Sequence, residues 1–231
     1  MPQVCAIIVA AGKGLRMNAI EKKQYLSIAG LPVVVHTLRV FDSCALIDEM
    51  VLVVPEEDLN VCREEIIDPA GFVKEVVLIA GGPMRQDSVY NGLQAVDSDD
   101  GIIVIHDGVR PLVTPDELKA CINGARKYGA CILGLPAFDT LKRINTSGTI
   151  VETLARDTIW LAQTPQAFRY NLILNAHQHA RQHGLSATDD ASLLEQIGID
   201  VKIIEGSRWN LKITNPDDLK LARILLRNAA D

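Results

Sequence analysis

The chain has 231 residues, 48% of them hydrophobic and 23% charged, a composition ordinary for a soluble globular protein, so disorder is not indicated. Its formal net charge of -6 argues against a broad nucleic-acid-binding face, which needs a basic surface. The length suits one large α/β domain or two small ones, with a sizeable core. Five cysteines, Cys5, Cys44, Cys62, Cys121 and Cys131, form no Cys-x-x-Cys pair and several sit in apolar runs, so they are expected to be buried, reduced thiols of a cytosolic protein. The N-terminus has no basic n-region and no apolar run approaches ~18 residues, so neither export nor a membrane span is expected.

Val4 to Ala11 is an apolar run with Val and Ile at its centre, the pattern of a buried parallel strand, and it breaks at Gly12 and Gly14 into a loop. Lys13, Arg16, Lys22 and Lys23 crowd the loop, opposed only by Glu21. Glycines let backbone N–H groups close around an anion and nearby cations neutralise it, so the stretch reads as a phosphate cradle in an otherwise acidic protein. The bland alternative is a plain strand-to-helix turn. Met17 stands where a Walker A loop needs the Gly that opens its Gly-Lys-Ser/Thr and where a dinucleotide fingerprint needs its third Gly, so both of those loops are excluded.

Further along, Pro32 to Ser43 predicts a helix with Val34, Leu38 and Phe41 on its core side and His36 in a structural role. Met50 to Pro55 and Val76 to Gly82 predict two more strands, separated by a charged surface helix over Glu56 to Ile67. Asp87 or Ser88 is expected to cap the helix that follows, a role compatible with a ligand contact by Ser88. Ile102 to Arg110, IIVIHDGVR, predicts a buried strand with polar residues at its carboxyl end, where open α/β sheets bind ligands, and makes Asp107 and Arg110 site candidates. Thr114-Pro115-Asp116-Glu117 is a capping box that starts a helix to about Tyr128, before a fifth strand over Ala130 to Pro136. Strands alternating with helices imply a doubly wound, mostly parallel sheet.

The pattern changes at Thr140 to Thr153, which reads as a β-hairpin around Asn145-Thr146-Ser147-Gly148. An isolated ribbon is marginal in water, so a second subunit is the expected support. Pro165 restricts Thr164 to an extended shape that presents its hydroxyl outward. Asn171 to His183 predicts a helix on which His179 and His183 form a solvated face rather than a metal site, for want of the His-Glu-x-x-His pattern. Thr188 or Asp189 caps the next helix. Val201 to Gly206 is a further strand, and Lys212 sits between apolar neighbours, as a cation does when it meets an anion or snorkels to the surface. Asn215-Pro216-Asp217-Asp218 caps a closing helix.

AAGKGLRM followed by Lys23 in KKQY, then Gly81-Gly82 with Ser88, His-Asp-Gly-Val-Arg, Thr164-Pro165-Gln166 and Thr188-Asp189 resemble, in order, the motifs of the 2-C-methyl-D-erythritol 4-phosphate cytidylyltransferase family of nucleotidyltransferases. The resemblance spans nearly the whole chain. It implies one Rossmann-like nucleotidyltransferase domain over 1–231, with a β-arm at about 138–157 that makes a homodimer. It implies transfer of CMP from CTP to 2-C-methyl-D-erythritol 4-phosphate, a step of isoprenoid precursor synthesis. A ribitol-5-phosphate cytidylyltransferase is the alternative, with a dehydrogenase-like protein and a nucleotide sensor as rivals of other classes. By the resemblance Arg16, Lys23 and Lys212 are catalytic. Ala10, Ala11, Gly12, Gly14, Gly82, Ser88 and Asp107 bind the nucleotide, while Asp107, Arg110, Thr140, Arg156, Thr164 and Thr188 hold the acceptor. Mg²⁺ is expected on the triphosphate with little protein ligation. Pro83 stands where the family often has an acid that holds the ribose.

Overall fold

The computed structural model describes residues 3–12, 22–96 and 100–228. Its centre is β1 (Val4–Val9), an all-apolar strand that pairs in parallel on both sides. A short ribbon, β2 (Ser27–Ile28) and β3 (Leu31–Pro32), leads into helix α1 (Val33–Ser43). β4 (Glu49–Val54) follows, then a helical stretch in which α2 (Leu59–Val61) and α3 (Asp68–Ala70) flank a π-helical turn. β5 (Val76–Ala80), α4 (Arg85–Gln94), β6 (Ile102–Asp107), α5 (Pro115–Tyr128) and β7 (Ala130–Pro136) complete the regular alternation.

The main sheet has seven strands in the order β11-β7-β10-β6-β1-β4-β5. β10 (Trp160–Arg169) is antiparallel to both its neighbours, and β11 (Lys202–Glu205) pairs in parallel with β7. The doubly wound, mostly parallel sheet is as expected, but β10 was not. Its run is broken by Gln163, Thr164, Pro165 and Gln166, and a proline argues against a central strand because it cannot donate to the ladder. The ladder accommodates Pro165 by losing register with β7 between Ala162 and Gln166.

Alternate residues of β1 feed opposite cores, because successive side chains of a strand point to opposite faces. Ala6 and Ile8 join Leu38 and Phe41 of α1 and Leu118, Ile122 and Ala125 of α5 on one face. On the other, Cys5 and Ile7 meet Val89 and Leu93 of α4 together with Ile173, Ala176 and Ala180 of α6 (Tyr170–His183). A third cluster ties Val109 and Ile213 to Leu219 and Ala222 of the closing helix α8 (Pro216–Asn228). All five cysteines are free and buried. Among the described residues no helix is long and apolar enough to cross a membrane.

The hairpin is present as β8 (Lys142–Ile144) and β9 (Ile150–Thr153). The Asn145 carboxamide oxygen accepts bonds from the backbone N–H groups of Ser147 and Thr149, and Gly148 takes the positive φ that its turn requires. Ile144, Ile150 and Val151 on this arm are each more than half exposed.

Candidate functional site

The carboxyl ends of β1, β5 and β6 open into a cavity of about 390 Å³, the position at which open α/β sheets bind ligands. Ala10, Ala11 and Gly12 form one wall, Gly82 to Arg85 with Ser88 another, and Asp107, Lys23 and Lys212 the polar floor. Lys13, Gly14 and Arg16, the rest of the expected phosphate loop, lie outside the described residues. Lys22 is not among the residues that line the cavity; its ammonium is 2.8 Å from Glu57 and 2.7 Å from Asp58. Lys23 lines the cavity, and its Nζ donates to the Ile213 carbonyl at 3.3 Å.

The glycine pair is required by close packing. A Cβ on Gly81 would stand 2.4 Å from the Ala11 Cβ and 3.0 Å from the Ser88 hydroxyl, and one on Gly82 would stand 2.3 Å from the Asp87 Cβ. Ser88 is buried, accepting from Gly82 N–H and donating to the Met84 carbonyl, each at 3.1 Å. The expectation that Asp87 or Ser88 is the cap is corrected. Helix α4 starts earlier, at Arg85 after Met84, and Asp87 reaches back to accept from Met84 N–H at 3.2 Å.

Asp107 is the electrostatic centre. It is 6% exposed, with Arg85 Nε 3.3 Å from Oδ1, and Lys212 Nζ at 2.9 Å and Arg110 Nε at 3.4 Å from Oδ2. Burial alone would raise its pKa, but Arg85, Lys212 and Arg110 outweigh burial and hold the carboxyl well below the usual carboxylate range. Lys212 therefore does meet an anion. Arg110 is also braced by the Asn210 carbonyl at 2.7 Å from Nη1.

A second cavity of about 110 Å³ adjoins the first and shares Arg85, Asp107 and Lys212 with it. Arg110, Thr164 and Thr188 line it, as the expected acceptor set requires. The Thr164 hydroxyl points inward rather than outward, which corrects the expectation. It accepts from Asp107 N–H at 3.1 Å and lies 3.0 Å from His106 Nδ1. The Nε2 of His106 faces the Arg110 carbonyl at 3.2 Å, an acceptor only, so Nε2 carries the proton and Thr164 donates to Nδ1. Asp189 caps α7 (Asp190–Gln196) by accepting from Ser192 N–H. Thr140 and Arg156 line neither cavity; both are exposed, and Arg156 donates to the Phe138 carbonyl.

Burial lowers the His106 pKa from 6.5 to about 3, so the ring is neutral in the folded protein. An unfolded chain takes up this proton near pH 6.5, so between pH 6.5 and 3 the unfolded state binds more protons and stability falls as the pH falls. The slope from this residue reaches at most about 1.4 kcal/mol per pH unit. Asp107 and Asp190, with lowered pKa values, lose their stabilisation only below their unfolded pKa near 4. Urea unfolding at pH 7, 6 and 5 is expected to show the decline, and His106→Asn to flatten it; an equal slope in both proteins would refute the assignment.

Sequence reasoning passed over Arg85 and Asp190. Arg85 lines both cavities, and its Nη1 lies 2.7 Å from Asp190 Oδ2. A signal was available: a cation in the first turn of a helix opposes the helix dipole, so it needs nearby carboxylates.

A sequence profile of the family described as IspD, 2-C-methyl-D-erythritol 4-phosphate cytidylyltransferase, matches residues 4–228. The chain is 49% identical over 226 residues to the 2-C-methyl-D-erythritol 4-phosphate cytidylyltransferase of Syntrophus aciditrophicus, covering 98% of this chain and 97% of that one. Against the enzyme of the same name from Pelotomaculum thermopropionicum it is 46% identical over 227 residues, covering 98% and 95%. Among solved structures, the 4-diphosphocytidyl-2C-methyl-D-erythritol synthase of Anaerococcus prevotii superposes with a TM-score of 0.85 at 31% identity, covering 98% and 96% of the two chains.

Proposed function

This chain belongs to the 2-C-methyl-D-erythritol 4-phosphate cytidylyltransferase family, and from that premise we infer that it transfers CMP from CTP to 2-C-methyl-D-erythritol 4-phosphate in isoprenoid precursor synthesis. One observation carries the assignment of its parts: two adjoining cavities, one walled by glycine and alanine backbone and one by Arg110, Thr164 and Thr188, share Asp107, Arg85 and Lys212 at their junction. A two-substrate transfer needs that arrangement. The first cavity takes the nucleotide through Ala10, Ala11, Gly12, Gly14, Gly82 and Ser88. The second takes the acceptor.

An acceptor phosphate oxygen attacks the α-phosphorus of CTP, a new P–O bond forms, and the bond to the β-phosphate oxygen breaks to release pyrophosphate. A phosphate monoester has a second pKa of about 6 and is largely ionised at neutral pH, so no general base is needed. The barrier lies in bringing two anions together and in spreading charge on the attacked phosphorus, the task of positioned cations. We assign it to Lys23 and Lys212, together with Arg16 outside the described residues. Among the described residues the one carboxylate lining the nucleotide cavity, Asp107, is committed to three cations. The site therefore fits Mg²⁺ that is held by the triphosphate, where it would neutralise phosphate oxygens.

The exposed apolar residues of the arm support a homodimer in which Thr140 and Arg156 serve the partner's acceptor. The free, buried cysteines support a reducing, cytoplasmic setting. The test of the dimer is complementation. Arg156→Ala and Lys23→Ala are each expected to be nearly inactive, yet subunits mixed by refolding place both lesions in one site of a heterodimer and leave its other site intact. Random pairing then restores roughly a quarter of the wild-type sites; recovery no greater than the sum of the two variants would show that the arm serves its own site.

Pyrophosphate release with CTP and either methylerythritol 4-phosphate or ribitol 5-phosphate tests the acceptor. Preference for the first is expected. Equal or greater turnover of ribitol 5-phosphate would move the protein to the alternative activity.

A further inference from the structure

Arg85 is reached by nothing in the sequence motifs, yet it occupies the junction of the two cavities. Behind it, Asp190 is 1% exposed and His177 fully buried, with His177 Nε2 3.2 Å from Asp190 Oδ1. Asp190 N–H also donates to the Gln166 carboxamide at 3.1 Å, on the strand that carries Thr164. Four side chains from separate elements thus stand in line, His177 to Asp190 to Arg85 to Asp107, from the core to the site.

The two oxygens of Asp107 are divided. Arg85 faces Oδ1, which leaves Lys212 and Arg110 on Oδ2. Without Arg85, Oδ1 would compete with Oδ2 for the other two cations, of which Lys212, 2.9 Å from Oδ2, pairs more closely with the carboxylate than Arg110 at 3.4 Å. The guanidinium suits this place because its planar fork can meet two carboxylates at fixed angles, which an ammonium cannot. Asp190 and Asp107 overcome the effect of burial and raise the Arg85 pKa, so its charge is permanent.

We propose that Arg85 is a positioning residue: anchored by Asp190, it fixes Asp107 and thereby keeps Lys212 directed at the junction where the nucleotide and acceptor phosphates meet. The proposal rests on the functional reading above. Its experiment is a double-mutant cycle between Arg85→Ala and Asp107→Asn, with kcat and KM measured for both substrates at saturating Mg²⁺. Native folding of each variant is checked by thermal melting.

Arg85→Ala is expected to lower kcat/KM for the acceptor about 100-fold while KM for CTP stays within about threefold, and to cost less than about threefold more when Asp107 is already Asn. Arg85→Lys is expected to recover less than about tenfold, for lack of the fork. Asp190→Asn reproduces the defect in part, and it carries the test with Arg85→Lys if Arg85→Ala does not fold. Equal costs in both Asp107 backgrounds, full rescue by Lys, or wild-type turnover in folded Asp190→Asn would overturn the proposal. A wild-type enzyme silent with every acceptor would instead bring down the functional reading, and the proposal with it.

Discussion

Replacing Lys23 by alanine is expected to lower kcat by at least about 1,000-fold while leaving the fold and CTP affinity nearly intact, since a cation that meets charge developing in phosphoryl transfer is worth about 10³ to 10⁵ in turnover. The residue follows the glycine-containing loop in sequence, lines the cavity proposed for the nucleotide and donates to the Ile213 carbonyl. It is only partly buried, so its loss opens no cavity in the core. On the proposed assignment the ground-state triphosphate would still meet Lys212 and the wall of Ala10, Ala11 and Gly12, so affinity is expected to change little and turnover a great deal. Steady-state pyrophosphate release and calorimetric CTP titration of the same preparation check both halves. A variant with near wild-type kcat would remove Lys23 from the chemistry.

Asp107→Asn is expected to act on stability as well as turnover. The side chain keeps its shape but loses the charge that faces Arg85, Arg110 and Lys212. Breaking a buried ion pair by removing one partner typically costs about 3–5 kcal/mol. For a domain of this size each kcal/mol shifts the melting temperature by about 2–4 °C, so a fall on the order of 10 °C is expected. Turnover falls too, because Lys212 and Arg110 lose the group that sets their separation. Scanning calorimetry with and without CTP tests the stability claim: an unchanged melting temperature would mean that solvent, not Asp107, balances these cations. CTP should recover part of the loss, as its phosphates supply the missing negative charge.

Much of the site was legible because its chemistry is written in contiguous segments. The Val4 to Gly12 strand and loop, the His-Asp-Gly-Val-Arg strand end and the Thr114 capping box each combine an element with its terminator over a few residues, and each appears where expected. Lys212 was legible through its apolar neighbours. Thr164 was identified as a site residue but given the wrong direction, since local proline geometry says nothing about the His106 ring and Asp107 N–H that hold its hydroxyl. Strand β10 escaped because its polar centre breaks the alternation on which strand recognition depends. Arg85 and Asp190, 105 positions apart, escaped because a long-range ion pair leaves no periodic trace in a single sequence.

The position of β10 also bears on how the chain assembles as it leaves the ribosome. β1, β4, β5 and β6 are all synthesised by residue 107 and pair among themselves. β7 has only β10 and β11 as neighbours, and both are made after it. Until residue 169 emerges, β6 presents a bare hydrogen-bonding edge, the kind of surface that recruits foreign strands, and β7 has nothing to pair with. The strand that bridges β6 and β7 is also the one that carries Thr164, so the exposed edge of β6 is covered in the same event that brings the Thr164 hydroxyl to Asp107 N–H, while the far edge of β7 waits for β11.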